Sequence, residues 1–295
     1  MTTASRPADT TNHGISVQSL GSGSSGNAFI VTTAEESILI DCGIGIRTLT
    51  ASLRQRNMAL TDIDTICVTH EHSDHIRTLP KVVRHDTTIF ATDGTAIRSA
   101  VARDQHVRAL GDTPQRIGGM TLWPLLVSHD AQEPCGFMLE MPDDTRVTIL
   151  TDLGTWHDSL AAFVRASDLI VLEANHDEEM LRVGPYPQYL KKRVASDVGH
   201  LSNRHCGDAL GKALRATTHQ PEIWLAHLSE HNNTPQLAEM TVRDSLLAND
   251  LDLSVIALPR KSAGPLWTPA ATERPRPDFV APTPALQQMG LDLGL

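Results

Sequence analysis

The 295-residue chain has no apolar run of about 18 residues, so no segment reads as a membrane-spanning helix. Its polar start, Met1 to Asn12, lacks the apolar stretch of a secretion signal, and a cytoplasmic protein is expected. Cysteine is scarce and scattered: Cys42, Cys67, Cys135 and Cys206 form no C-x-x-C pair. That spacing argues against a zinc knuckle or a disulfide framework and for buried free thiols. Aromatic residues make up only 4% of the chain, too few for a broad base-stacking platform. Positive charge is also in deficit, with 25 Lys and Arg against 35 Asp and Glu and a net charge of −10. The basic footprint of a non-specific nucleic-acid binder is therefore missing, and any such role must rest on local charge and on metals.

Histidine is plentiful, at 14. Three of these lie in Thr69-His70-Glu71-His72-Ser73-Asp74-His75, directly after the apolar run Ile66-Cys67-Val68. Imidazole nitrogens with a carboxylate suit zinc, manganese or iron better than calcium or magnesium. Side chains two apart on an extended segment share a face, so His70 and His72 can hold one ion. If the chain then turns, Asp74 and His75 can face a second. Four ligand-type residues at this spacing read as a metal site.

Elsewhere, short apolar runs end repeatedly in a polar or ligand-type residue. Ile38-Leu39-Ile40 leads to Asp41, Thr88-Ile89-Phe90 to Asp93, Leu125-Leu126-Val127 to His129, and Val147 to Leu150 to Asp152. Leu169 to Leu172 leads to Glu173, and Ile223 to Ala226 to His227. Runs of this kind suit strands covered on both faces, and their polar ends predict one common rim. Between them, Arg47 to Asn57, Gly94 to Asp104 and Asn203 to Thr217 carry helical patterning, and Thr234-Pro235 is a helix start. The glycine- and serine-rich Gly21 to Asn27 reads as a hairpin loop whose amides and hydroxyls can line an anion site. Residues 1–13 read as disordered, 14–260 as one α/β domain, and 261–295 as a flexible tail. Seven of 17 prolines fall between Pro259 and Pro284.

The order H-x-H-x-D-H, then His, Asp and His, resembles the metallo-β-lactamase superfamily. The resemblance implies an αβ/βα four-layer sandwich and two divalent ions, zinc or manganese with iron also possible. His70, His72 and His129 would hold one, Asp74, His75 and His227 the other, with Asp152 between them. Asp41 would orient a ligand histidine. Leu172-Glu173-Ala174-Asn175-His176-Asp177, Gly199-His200-Leu201-Ser202-Asn203 and Leu228-Ser229-Glu230-His231-Asn232-Asn233 are similar to the WalJ/YycJ-type exonuclease branch, as are Gly23 to Ala28 and Pro134 to Phe137.

That likeness implies a 5′–3′ DNA exonuclease of repair or replication. Similarity to ribonuclease Z implies that Glu173 orients His200 for phosphodiester cleavage, beside the catalytic Asp74. Five basic residues against one acidic between Arg182 and Arg204 offer Lys191, Lys192 and Arg193 for a phosphate backbone, with Ser25 and Asn27 from the glycine-rich loop. A small-molecule hydrolase acting on a thioester, lactone or cyclic phosphodiester is the rival enzyme, favoured by the acidic charge. A metal-bearing scaffold for a replication partner is the third reading. The tail's Gln288, Met289, Leu291 and Leu293 resemble the peptide that bacterial proteins insert into the sliding clamp.

Overall fold

The computed structural model describes residues 14–99, 106–215, 217, 219–270, 279 and 282. Their strands form two seven-stranded sheets. The first contains β1 (Ser16–Gly21), β2 (Ala28–Thr32), β3 (Ser37–Ile40), β4 (Thr65–Cys67), β5 (Thr88–Thr92) and β6 (Val107–Leu110) in sequential order, with β14 (Leu266–Trp267) beyond β1. The second runs β7 (Gln115–Ile117), β8 (Met120–Leu126), β9 (Cys135–Glu140), β10 (Arg146–Leu150), β11 (Leu169–Glu173), β12 (Glu222–Ala226) and β13 (Val255–Ala257).

Strands β3 to β6 are mutually parallel, as are β10 to β13. Strand β8 is antiparallel to β9, which is antiparallel to β10, so β8 and β10 run the same way. The strands that end in Asp41, His70, His129, Asp152, Glu173 and His227 all deliver those residues to one rim.

Period-two side-chain alternation explains why the apolar runs are continuous. Leu169, Val171, Trp224 and Ala226 point between the sheets, where they meet Phe29 and Phe137. Their neighbours Ile170, Leu172, Ile223 and Leu225 point outward and are covered by Leu210 and Val242. Those two residues come from α8 (Asn203–Ala213) and α9 (Pro235–Leu247). On the far side, Leu49 and Leu53 of α1 (Ile46–Gln55) cover Leu39 and Ile66. The result is helix, sheet, sheet, helix, as expected. Each large apolar side chain buried this way contributes about 1.5–3 kcal/mol.

The helix start read at Thr234-Pro235 is present in the structure. Thr234 caps α9, its hydroxyl accepting from the Leu237 amide at 3.2 Å, with Pro235 in the first turn. Ser202 caps α8 in the same way through the His205 amide. Asp93 follows β5 but is not among the clustered donor residues. It opens α4 (Asp93–Arg98), behind the cap Thr92.

The expected tail boundary at residue 261 needs correction. The Gly264 amide donates to Ser19 O at 2.8 Å, and β14 pairs with β1 through Val17 and Trp267. Trp267 is buried, so a two-residue strand protects the edge of β1. Proline-rich composition concealed it. Phe279 also packs on the fold, against Trp123 and Phe163, with the Arg146 guanidinium over its ring. Residues 1–13 and the peptide Gln288 to Leu293 lie outside the described residues. No helix among the described residues is long and apolar enough to cross a membrane.

Candidate metal centre and its pocket

The rim is built from strand ends whose backbone turns sharply. Asp41, Asp152 and His227 each follow a strand and adopt positive φ values of 57°, 54° and 55°. This left-handed conformation is uncommon for residues with a side chain and costs of order 1 kcal/mol or more each. Here it swings three functional side chains out of the strand direction and over the rim. His72, itself extended, caps α2 (Ser73–Ile76), which carries Asp74 and His75. One turn thus separates the His70–His72 pair from the Asp74–His75 pair.

The donor atoms converge in overlapping groups within 4.8 Å of one another: His70, His72 and His129; Asp74, His75 and His227; and His70, His75 and Asp152 between them. His72 Nδ1 and His129 Nε2 are 3.2 Å apart, and His75 Nε2 lies 3.0 Å from Asp152 Oδ2. Two buried ring nitrogens, His70 Nε2 and His227 Nε2, have no hydrogen-bond partner. Leaving buried donors or acceptors unmet costs about 1–3 kcal/mol each, and a cation placed among them would remove that cost. The donor set is nitrogen and carboxylate oxygen without thiolate, which fits a divalent metal of the zinc, manganese or iron type.

The surrounding contacts fix the rings. Asp41 receives the Thr69 amide and hydroxyl, both at 2.9 Å, and lies 2.7 Å from His75 Nδ1. It therefore aims His75 Nε2 into the cluster. Gly199 O holds His129 Nδ1 at 2.9 Å. Glu173 is fully buried, and its Oε1 contacts both His200 Nδ1 at 2.9 Å and His227 Nδ1 at 2.8 Å. Its Oε2 accepts from the amides of Leu153 at 2.7 Å and Leu201 at 3.1 Å. One carboxylate thus ties the residue after Asp152, the residue after His200, and two rings into a single unit.

Electrostatics follow from this crowding. Burial, reinforced by His75, holds His70 well below the ordinary imidazole range, so it is a neutral donor. For His75, burial opposes a charge, but Asp152 and Asp41 outweigh it and push the ring well above the usual value. Burial likewise opposes a charge on His227, yet Asp152, Asp74 and Glu173 lift it to about 10. Burial disfavours a charged Glu173, but His200 and His227 bring it down to about 2. The cluster gathers the carboxylates of Asp41, Asp74, Asp152 and Glu173 around two imidazoles, His75 and His227, that favour holding protons. A divalent cation can take their place.

Beside the cluster opens a pocket of about 150 Å³, lined among others by Ser24, Asp130, Tyr186, Arg193 and His200. His200 turns Nδ1 toward Glu173 and is one-fifth exposed, so its ring borders this space. Arg193 Nε donates to Asp130 Oδ2 at 2.6 Å, and Asp130 Oδ1 is 3.3 Å from His129 Nε2.

The glycine-rich loop plays a different part from the one expected. Asn27 is fully buried, with its amide nitrogen 3.1 Å from His75 Nε2, so it does not face a ligand in the pocket. Ser22 accepts from the His227 amide at 2.9 Å and donates to Asn27 Oδ1 at 3.1 Å, fastening the loop to both sides of the cluster. Ser25 is exposed at the loop tip, and Ser24 is the serine at the pocket wall. Of the basic residues, Lys191 donates to Arg182 O at 2.8 Å, Lys192 is exposed, and Arg193 reaches the pocket. The bracing roles of Thr69, Ser22, Asp130 and Gly199 are not assigned by the sequence, because contacts between distant loops carry no distinctive spacing.

Comparison with known proteins agrees with this arrangement. The sequence model of the beta-lactamase superfamily domain matches residues 36–228. The exodeoxyribonuclease WalJ of Streptococcus pneumoniae serotype 2 is 36% identical over 245 residues, covering 80% of this chain and 90% of that protein. The exodeoxyribonuclease YycJ of Bacillus anthracis is 34% identical over 240 residues, covering 79% and 89%. The crystal structure of the metallo-β-lactamase fold protein YhfI from Bacillus subtilis has a TM-score of 0.63 at 18% identity, covering 86% of this chain and 99% of its own, a likeness of fold. The chain therefore belongs to the metallo-β-lactamase superfamily, in the branch that contains WalJ and YycJ.

Proposed function

We propose that this protein is a two-metal exodeoxyribonuclease that removes nucleotides in the 5′–3′ direction. The observation that carries the reading is Glu173, whose Oε1 contacts both a cluster ring, His227, and a ring bordering the pocket, His200. Metal chemistry and a proton-transfer group are thereby built as one unit, on a chain 36% identical to an exodeoxyribonuclease. His70, His72 and His129 would hold one ion, and Asp74, His75 and His227 the other, with Asp152 shared; zinc and manganese fit these donors, as does iron. When bound, such ions activate water near neutral pH and stabilise charge on phosphoryl oxygens.

The protein's own groups do the rest. Arg193 and Lys192 receive phosphate oxygens at the pocket mouth. Water attacks phosphorus, the bond to the 3′-oxygen breaks, and that oxygen takes the proton from His200 Nε2. Glu173 accepts from His200 Nδ1–H, so Nε2 gives a proton only from the doubly protonated ring, and the proton that water sheds as it attacks restores that form. The product keeps its 5′-phosphate. Metal-loaded protein should release mononucleotides from duplex ends, with activity lost in Asp74→Ala and strongly reduced in His200→Ala. Undamaged DNA at stoichiometric enzyme would refute this.

The acidic net charge of −10 favours the rival, a small-molecule hydrolase. Rapid turnover of a thioester, lactone or cyclic phosphodiester by a preparation inert toward DNA would establish it. A clamp partner for Gln288, Met289, Leu291 and Leu293 is tested by binding of a peptide of residues 284–295, which Gln288→Ala with Leu291→Ala should abolish.

A further inference from the structure

The chain contains two tyrosines, three residues apart, on or just before one short helix. Tyr186 lines the pocket wall, and Tyr189 stands on α7 (Gln188–Val194) at 74% exposure. Among the exposed large apolar side chains of the described residues, Tyr189 is the most open and the one aromatic. In a helix, positions i, i+3 and i+4 share a face, so Tyr189, Lys192 and Arg193 form one stripe. That stripe begins in solvent at Tyr189 and ends at Arg193, which enters the pocket and is anchored by Asp130. Val198, 47% exposed, borders the same mouth, where its carbonyl accepts from the Asp130 amide at 3.0 Å.

We infer that the outer face of α7 is a lip for single-stranded DNA, on which Tyr189 stacks a base while Lys192 and Arg193 receive the adjoining phosphates. The inference rests on the nuclease reading and adds to it where the substrate strand lies. A base presents an apolar ring face and a phosphate presents charge. The stripe offers an aromatic face next to two cations, on a chain whose surplus charge is negative elsewhere. That complementarity favours a nucleic-acid strand over an acidic-surfaced copy of this protein. Stacking accepts any base, so the lip would bind without sequence preference. Aromatic scarcity in the sequence is thus offset by placement.

The test is binding of a fluorescent single-stranded oligonucleotide to full-length, metal-loaded protein, with sedimentation of the same samples. Tyr189→Ala should weaken binding about tenfold, and Tyr189→Phe should restore it, because a phenyl ring stacks without the hydroxyl. Lys192→Ala should lower the salt-dependence slope by about 0.7, the mark of one lost phosphate contact on a single strand. Wild-type protein that degrades DNA while Tyr189→Ala binds as tightly as wild type overturns the lip and leaves the nuclease reading standing. Wild-type protein that neither binds nor degrades DNA overturns both. A wild-type dimer that Tyr189→Ala converts to monomer, with unchanged affinity for DNA, assigns the face to self-association and overturns the inference.

Discussion

Replacing Glu173 with glutamine keeps the side chain's shape and removes its charge. Glu173 accepts from two imidazole nitrogens through Oε1 and from two backbone amides through Oε2. Glutamine retains one acceptor oxygen, and its NH2 must then face two donors of the other pair. Two buried donors lose their partner, at about 1–3 kcal/mol each, so the metal-free protein should lose about 2–6 kcal/mol of stability. A second effect acts on the metal. Glu173 fixes His227 with its proton on Nδ1, which leaves the partnerless Nε2 as the donor. Losing an anchor of this type costs about 10- to 100-fold in metal affinity. Urea denaturation in chelator measures the first effect, and competitive titration against a chromophoric chelator measures the second. A variant within about 0.5 kcal/mol of wild type that binds metal equally well would refute the role given to Glu173.

Asp41→Ala removes the partner of His75 and of the Thr69 amide, and breaking this buried pair should cost about 3–5 kcal/mol in the same urea assay. Gly43→Ala should be severely destabilising, more than about 4 kcal/mol, because its Cβ would lie 1.5 Å from Asp74 O; a thermal melt near wild type would contradict that packing. Metal binding should release protons, since His75 and His227 hold theirs at neutral pH when metal-free and must lose them to coordinate. The sign follows: affinity rises with pH, by up to about one log unit per pH unit for each displaced proton, and levels off above about 10 for His227. Calorimetry in buffers of different ionisation heat counts those protons, and a count of zero would remove the basis for this electrostatic account.

The metal cluster was legible because its donors announce themselves in two ways. His70 to His75 are contiguous, and Asp152, Glu173 and His227 each end an apolar run, so parallel strands deliver them to one rim. Strand-end position alone misleads, as Asp93 does, because a helix start uses the same residue types. The glycine-rich loop reads as a hairpin turn that can also line an anion site, and the structure uses its Ser22 and Asn27 to brace His227 and His75. Composition cannot distinguish the two, since both need backbone close to polar groups. Strand β14 and the seat of Phe279 were hidden because edge pairing and aromatic packing of a proline-rich segment depend on distant partners, not on local pattern. Tyr189 was invisible for a related reason: its significance lies in the helix face it shares with Lys192 and Arg193.

The most direct test of the central claim compares two substrates with the same metal-loaded enzyme: a linear duplex bearing a 5′ label, and a covalently closed circle of the same sequence. The account predicts steady, metal-dependent release of labelled mononucleotide from the linear duplex and an intact circle. Two intact substrates would contradict it, as would internal nicks in the circle.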